Sequence, residues 1–176
     1  MTRFPQPGRA LRAIGFDDAP FERRRRGDVG LAGVVCAGTR FEGLVWGRVR
    51  QDGWNATEAI LALLLGGKFL PQLHLVLLDG IGFGGFNLVD LEGLAAQLGR
   101  PCVAVMRRQP DLVAMERAIR RLPRPERRLA LLARAGAPAG GASGWRAPAR
   151  RGRAGGASPP RTGGRAARPG PPDPPG

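Results

Sequence analysis

The sequence contains no tyrosine, one histidine, one lysine and two cysteines, and these scarcities restrict the chemistry that is available to the protein. The lone histidine, His74, lies within the apolar run LHLVLLD, where a core residue is expected rather than a general base. Cys36 and Cys102 also lie in apolar runs and are too few for a zinc site or a disulfide framework. Two reduced core thiols are therefore expected, which is typical of a cytoplasmic protein.

Long apolar runs are lacking as well. No segment approaches the roughly 18 apolar residues that a membrane-spanning helix needs. The N-terminal residues MTRFPQPGRALRAIGFDD have no continuous apolar segment of the kind found in a secretory signal peptide. We therefore expect a cytoplasmic protein that does not contact membranes.

Negative charge is scarce relative to positive charge, since 14 acidic residues face 28 basic ones and the formal net charge is +14. A surplus of this size favours polyanionic partners, with DNA or RNA first among them. Lys68 is the single lysine, so almost all of the positive charge is arginine. Together with abundant Ala, Gly and Pro, that bias is also typical of a GC-rich genome, and charge alone does not assign a function.

The composition changes near Ala135, and two regions are predicted on either side of this change. Residues 9–134 carry the apolar periodicity of a folded domain, whereas residues 135–176 consist mainly of Gly, Pro, Ala and Arg. Such a segment buries too little apolar surface to offset the entropy of ordering it, so a disordered tail is predicted. The stretch RRGRAGG within it is compatible with a nucleic-acid-binding arm or with an extension that has no function.

Strand-like and helix-like periods alternate within residues 9–134. Strands are predicted at 12–18, 29–38, 41–53, 73–79 and 101–108. Helices are predicted in ATEAILALLLGG, LVDLEGLAAQLG, PDLVAMERAIRRL and PERRLALLARA, with Asn55 and Asn87 capping the first two. The order β, β, β, α, β, α, β, α, α indicates an α/β fold in which an antiparallel meander is followed by parallel α/β units.

Aspartates concentrate at the ends of the predicted strands. Asp17 and Asp18 end the first strand, Asp52 ends the third and Asp79 ends the fourth. If these carboxylates converge, their mutual repulsion is relieved by a hard divalent cation such as Mg²⁺ or Mn²⁺. Each aspartate also has an ordinary explanation as a turn residue, so convergence is the property on which the metal-site prediction depends.

The stretch LVLLDGIGFGGFN contains the G-x-G-x-x-G spacing of a dinucleotide-binding loop, in Gly80, Gly82 and Gly85. Asp79 would place negative charge next to a pyrophosphate, and the acidic residue expected about 20 positions later is missing. We therefore expect the glycines to allow the backbone to pass close to a ligand or to a neighbouring strand.

Four segments together resemble a known family. IGFDDAPF, FEGLVWGRVRQDGWNATEAI, LVLLDGIGFGGFNLVDLEGL and PCVAVMRRQPDLVAMERAI closely resemble the archaeal family called domain of unknown function 99, over roughly residues 12–122. That family is related to endonuclease V, whose fold is of the ribonuclease H type. The resemblance therefore implies a ribonuclease H-like mixed sheet.

The resemblance also implies a site. Asp17 in GFDD and Asp79 in LDGIG match two aspartates of endonuclease V, and Asp52 in QDG lies near its third-strand glutamate. These three positions are implied as catalytic residues and, with Asp18 added, as ligands of Mg²⁺ or Mn²⁺. The lysine that ends the next strand of endonuclease V corresponds in position to Arg107 or Arg108, either of which is implied to steady a phosphate.

This sequence departs from endonuclease V at several points. Aspartate replaces glutamate at position 52, the Pro-Tyr wedge is absent, and Phe83 and Phe86 occupy the loop where endonuclease V has a histidine. Phe83 and Trp54 are candidates for stacking on an unpaired base, or else they plug the core beneath the loop. In the run RRRR, Arg23 and Arg24 are candidates for phosphate contacts, or else they form a solvated basic turn.

The function predicted from these residues is metal-dependent hydrolysis of a phosphodiester in nucleic acid, as in endonuclease V. The alternative is a non-catalytic nucleic-acid-binding module that retains the fold. The aspartate at position 52 and the missing wedge favour that alternative.

Overall fold

The computed structural model describes residues 8–23, 27–106 and 108–136. The strands are β1 (Arg12–Asp18), β2 (Asp28–Ala37), β3 (Arg40–Arg50), β4 (Leu75–Asp79), β5 (Gly82–Phe83), β6 (Asn87–Leu88) and β7 (Cys102–Val105). The helices are α1 (Ala56–Leu64), α2 (Leu91–Leu98), α3 (Leu112–Ile119) and α4 (Pro125–Arg134). The predicted order of major elements is confirmed, and the short β5–β6 hairpin is an addition to it.

Five strands form one mixed sheet in the order β3-β2-β1-β4-β7. Strands β1, β2 and β3 pair antiparallel, whereas β4 pairs parallel with both β1 and β7. An antiparallel meander therefore continues into parallel α/β units, and the predicted ribonuclease H-like α/β fold is confirmed. The carboxyl ends of β1, β4 and β7 lie at one edge of this sheet, where ligands commonly bind in α/β folds.

The main core lies on the face of the sheet that α1 and α2 cover. Alternate residues of each strand point into it, as Ile14 and Phe16 of β1 and Val76 and Leu78 of β4 illustrate. The apolar residues of α1 that face these strands are Ile60, Leu61 and Leu64. On the opposite face, large side chains stay exposed, namely Val34, Leu44, Trp46, Val103 and Val105.

The helix caps differ from the predicted ones. The side chain of Asn55 does not cap α1; its Oδ1 accepts hydrogen bonds from Arg50 N–H and from Asn87 Nδ2. Asn87 instead supplies the acceptor for Ala56 N–H at 3.0 Å, so the first turn of α1 is satisfied by a residue 31 positions away. Asn87 does not cap α2; Asp90 takes this role through Gly93 N–H.

Both cysteines are free and half-buried, as the sequence predicts for core thiols. Burial raises the pKa of Cys102 to about 11, which keeps this thiol protonated at neutral pH. A protonated thiol is a poor nucleophile, and a nucleophilic role for Cys102 is therefore disfavoured.

Within the described part of the chain, none of the helices has the length and apolarity required to cross a membrane. The predicted tail, 135–176, lies outside the described residues from 137 onward. The boundary at Ala135 stays a prediction, although α4 ends one residue before it.

Candidate functional site

Two of the predicted aspartates lie side by side where β1 and β4 end. Parallel pairing joins Phe16 to Leu78, and Asp17 and Asp79 are the next residue on each strand. Paired strands lie about 4.8 Å apart, and successive side chains alternate between the two faces. Since Phe16 and Leu78 are buried in the core, the carboxylates of Asp17 and Asp79 both project from the opposite face.

The other two aspartates hold the turn between β5 and β6. Asp18 Oδ2 accepts a hydrogen bond from Gly84 N–H at 2.5 Å, and Asp52 Oδ1 accepts one from Phe86 N–H at 2.8 Å. The main chain adds a further bond, from Asp52 N–H to the Gly84 carbonyl at 2.9 Å. Asp18 and Asp52 therefore fix the position of this turn relative to β1 and β3.

The four aspartates thus form two pairs. Among the residues that the structure describes, no three or more His, Cys, Asp or Glu side chains are grouped closely enough to hold a metal ion. Joint convergence of Asp17, Asp52 and Asp79 is therefore not found, and Asp52 Oδ1 instead accepts the hydrogen bond from Phe86 N–H. The ends of β1 and β4 still fit a hydrated Mg²⁺, which needs only one or two carboxylates beside water and substrate phosphate.

Glycines allow the close approach within this turn. Gly84 and Gly85 adopt φ values of +56° and +95°, and a Cβ at Gly85 would collide with Asp52 Oδ1. The glycine-rich stretch therefore forms a hairpin that α2 follows only at Leu91. It does not form the strand-to-helix loop of a dinucleotide-binding fold, and the second explanation of the glycines is the one that the geometry supports.

A cavity of about 340 Å³ opens at the carboxyl ends of β4 and β7. Asp79 and the exposed Arg108 supply its charged groups. Its remaining walls are backbone and apolar side chains, among them Ile81, Phe86, Leu88, Val105, Met106 and Met115. A largely apolar cavity with a few charged groups at one side is the usual form of a small-ligand site.

A second cavity of about 200 Å³ lies on the other side of the same turn. Asp52, Gln51 and the exposed Arg23 contribute its polar groups. Gly85 and Phe86 line both cavities, and the β5–β6 turn is thus the wall between them. Residues that fix the position of the β5–β6 turn therefore also determine the shape of both cavities.

Of the two predicted stacking residues, Phe83 is buried and Trp54 is half-buried. Phe83 is fully buried in the main core, so its ring fills the interior beneath the turn and does not stack on a base. The ring of Trp54 is covered by the guanidinium group of Arg128, whose Cζ lies 3.9 Å from the ring centroid. The prediction of base stacking is wrong for Phe83, and Trp54 serves contacts within the protein.

Two residues that hold the turns of the site, Asn87 and Arg128, were not predicted as site residues from the sequence. They are the two buried polar or charged residues in the described part of the chain. Arg128 is in phase with Leu131, Leu132 and Ala135 on the apolar stripe of α4, a signal that predicts burial. Burial lowers the pKa of the Arg128 guanidinium from its ordinary value, and the nearby charge of Asp52 opposes this shift.

Two of the predicted phosphate contacts, Arg107 and Arg24, lie outside the described residues. Arg108 and Arg23 are described, exposed, and each lines one of the two cavities. Their roles toward nucleic acid stay predictions.

The mixed sheet in the order β3-β2-β1-β4-β7 defines an α/β protein of the ribonuclease H-like fold class. Residues 9–144 match the family model described as endonuclease dU, and the chain belongs to that family. The predicted family relationship is therefore confirmed. A UPF0215 protein of Deinococcus radiodurans is 45% identical over 129 residues, which cover 73% of this chain and 66% of that protein.

One of the solved structures that the chain matches supports the fold. A protein of unknown function from Archaeoglobus fulgidus superposes with a TM-score of 0.67 and 33% identity, over 72% of this chain and 70% of that chain. Endonuclease V from Bacillus subtilis matches 57% of this chain and 46% of that chain, with a TM-score of 0.42 and 15% identity. The chain spans 58% of the length of the UPF0215 protein of Methanothermobacter thermautotrophicus and 66% of that of Deinococcus radiodurans.

Proposed function

We propose that this chain hydrolyses phosphodiester bonds in DNA that contains deoxyuridine, with the help of Mg²⁺ or Mn²⁺. The observation that supports the proposal is the β1–β4 register, which makes Asp17 and Asp79 neighbours on adjacent strands, and Asp79 also lines the 340 Å³ cavity. The description of the family as endonuclease dU supplies the substrate class.

Asp17 and Asp79 are the residues that would hold the ion. When bound, such an ion supplies Lewis acidity toward a phosphodiester oxygen. The two carboxylates project from the same face, so they would orient the ion between them, and Arg108 at the cavity rim would neutralise phosphate charge. Asp52 is proposed as a catalytic residue at the neighbouring turn, where Phe86 N–H fixes its orientation.

The 340 Å³ cavity is proposed to take the uracil base itself. An enzyme that inspects one base in a duplex rotates that base out of the stack and holds it between apolar walls. Ile81, Phe86 and Met115 provide such walls beside Asp79. The base and the phosphodiester would then lie on either side of one carboxylate.

The test is cleavage of matched oligonucleotides that contain either deoxyuridine or thymidine at one position. Wild-type protein should nick only the deoxyuridine strand, in Mg²⁺ or Mn²⁺ and not in EDTA. Asp79→Asn and Asp17→Asn should each abolish nicking, because each removes half of the proposed ion-binding pair. Glu58→Gln removes an exposed carboxylate on α1 and should cut like the wild type. Wild-type activity in Asp79→Asn would refute the site.

A non-catalytic nucleic-acid-binding function is the second candidate. The observation that favours it is that the described residues hold no group of three or more potential ligands. Salt-dependent binding of the same oligonucleotides without any nicking, by folded wild-type protein in Mn²⁺, would select this function over hydrolysis.

A further inference from the structure

Arg128 of α4 is 1% exposed, although arginine is almost never fully buried without partners. Its burial is compatible with the fold because the guanidinium group donates to four main-chain oxygens. Nε donates to the Phe86 carbonyl at 3.0 Å, and Nη1 donates to the Pro123 carbonyl. Nη2 donates to the carbonyls of Asp52 and Gly53, the latter at 3.2 Å.

These acceptors belong to separate parts of the chain that meet at the candidate site. Asp52 and Gly53 form the turn after β3, Phe86 belongs to the β5–β6 turn, and Pro123 precedes α4. The indole ring of Trp54 closes the arrangement, with its centroid 3.9 Å from Arg128 Cζ. One planar side chain thus links both site turns to the helix.

Arg128 supports the main-chain conformation of Asp52. Asp52 has a φ of +48°, a strained value for a residue other than glycine, so its conformation requires support from its surroundings. Arg128 binds the main-chain oxygen of Asp52 and leaves the carboxylate to accept the hydrogen bond from Phe86 N–H. It also fixes Phe86, which lines both cavities.

We propose that Arg128 is a positioning residue that holds the Asp52 turn and the β5–β6 turn in their working geometry. An arginine is required because its five N–H donors lie in one rigid plane and reach several carbonyls at once, whereas a lysine ammonium cannot reproduce that fork. The structural part of this inference stands by itself, and its consequence for catalysis rests on the proposed function.

The variants Arg128→Lys and Arg128→Met test the inference, with Arg127→Met as the matched control. Arg127 is the neighbouring arginine, is exposed, and also lies over Trp54, at 5.0 Å. The variants should remain folded, since Leu129, Leu131 and Leu132 keep α4 packed on its apolar cluster. Arg128→Lys retains the positive charge and decides the question if Arg128→Met does not fold.

Hydrogen exchange gives a readout that does not depend on activity. Amide exchange at Asp52 and Phe86 should accelerate about tenfold or more in both Arg128 variants, while the amides of β1 and β4 keep their wild-type rates. Arg127→Met should match the wild type throughout. Uniform acceleration across the sheet, or unchanged exchange at Asp52 and Phe86, would overturn the positioning role.

Nicking of the deoxyuridine oligonucleotide supplies the second readout. A misplaced catalytic group should lower kcat by about 10- to 100-fold with KM changed less than about threefold, in both Arg128 variants. Equal kcat in wild type and Arg128→Lys would also overturn the inference. If the wild type does not nick at all, the proposed function fails, and the exchange experiment still decides the role of Arg128.

Discussion

Single buried polar residues fix the loops of this site more than its apolar core does. Asn87 is fully buried, and all of its side-chain hydrogen-bonding groups reach residues around α1. Its Nδ2 donates to the Arg50 carbonyl at 2.9 Å and to Asn55 Oδ1 at 2.8 Å, while Oδ1 accepts from Ala56 N–H. One amide thereby joins the end of β3, the start of α1 and the β5–β6 hairpin.

Replacing Asn87 by leucine should destabilise the protein substantially. Leucine has the same branched arrangement of heavy atoms, is somewhat larger, and leaves Ala56 N–H and the Arg50 carbonyl without partners in the interior. Each buried group that loses its partner costs about 1–3 kcal/mol, so the free energy of unfolding should fall by about 3 kcal/mol. Urea denaturation followed by circular dichroism measures this change.

Gln72→Ala is the control for that experiment. It removes an exposed amide that makes one bond, from Nε2 to the Lys68 carbonyl at 3.1 Å. Its free energy of unfolding should lie within about 0.5 kcal/mol of the wild type. If the free energy of unfolding of Asn87→Leu equalled that of this control, the hydrogen bonds of Asn87 would not contribute to stability.

The sequence predicts the role of a residue well where that role depends on neighbours in the chain, and poorly where it depends on contacts between distant segments. Asp17 and Asp79 could be assigned to strand ends from the apolar pattern, whereas their proximity depends on the β1–β4 pairing, which the pattern does not define. Asn87 and Arg128 could not be assigned, because their partners are main-chain groups 31 and 42 positions away in the chain, among others. Local composition carries no record of such contacts.

Among the elements, the β5–β6 hairpin has the largest influence on the site relative to its size. Its two strands contain two residues each. Their turn is held by the hydrogen bonds that Asp18 and Asp52 accept from Gly84 N–H and Phe86 N–H. Elements this short leave no periodic signal, and the sequence showed only a glycine-rich stretch there. The longer strands β1 and β4, by contrast, were predictable because strand-like apolar patterns, a continuous run in the case of β4, extend over five residues or more.

Gly85→Ala should disrupt this hairpin. The residue has a φ of +95°, and its new Cβ would meet Asp52 Oδ1, so the hydrogen bond from Phe86 N–H must break or lengthen. Strain and the lost bond together should lower the free energy of unfolding by about 2 kcal/mol and abolish nicking of the deoxyuridine strand. Chemical denaturation and the oligonucleotide assay measure the two effects.

The matched control is Gly66→Ala. Gly66 also has a positive φ, +73°, but no atom lies within 4 Å of a Cβ placed there. It should lose about 1 kcal/mol through backbone strain alone and should leave nicking unchanged. Equal effects of the two substitutions would mean that the approach of Gly85 to Asp52 is unimportant.

At the scale of the whole molecule, a strongly basic chain carries two neighbouring carboxylates at the ends of adjacent strands. The chain carries a formal charge of +14, yet Asp17 and Asp79 stand together at the carboxyl edge of the sheet. A strongly basic surface draws nucleic acid toward the protein, while a pair of carboxylates repels phosphate unless a cation lies between them. The overall charge therefore favours association, and divalent metal is expected to matter more for cleavage than for encounter.

Salt dependence separates the general charge from contacts at the site. The affinity for an oligonucleotide should fall linearly on a plot of log K against log salt concentration, and Arg108→Gln should reduce that slope by about 0.9 if Arg108 contacts one phosphate. Arg40→Gln removes the same charge at the opposite edge of the sheet, where Arg40 pairs with Glu42 at 2.7 Å, and should leave the slope unchanged. Fluorescence anisotropy in EDTA measures both slopes without cleavage. Equal slopes for the two variants would show that Arg108 attracts DNA only through net charge, and the phosphate contact assigned to the cavity rim would have to be abandoned.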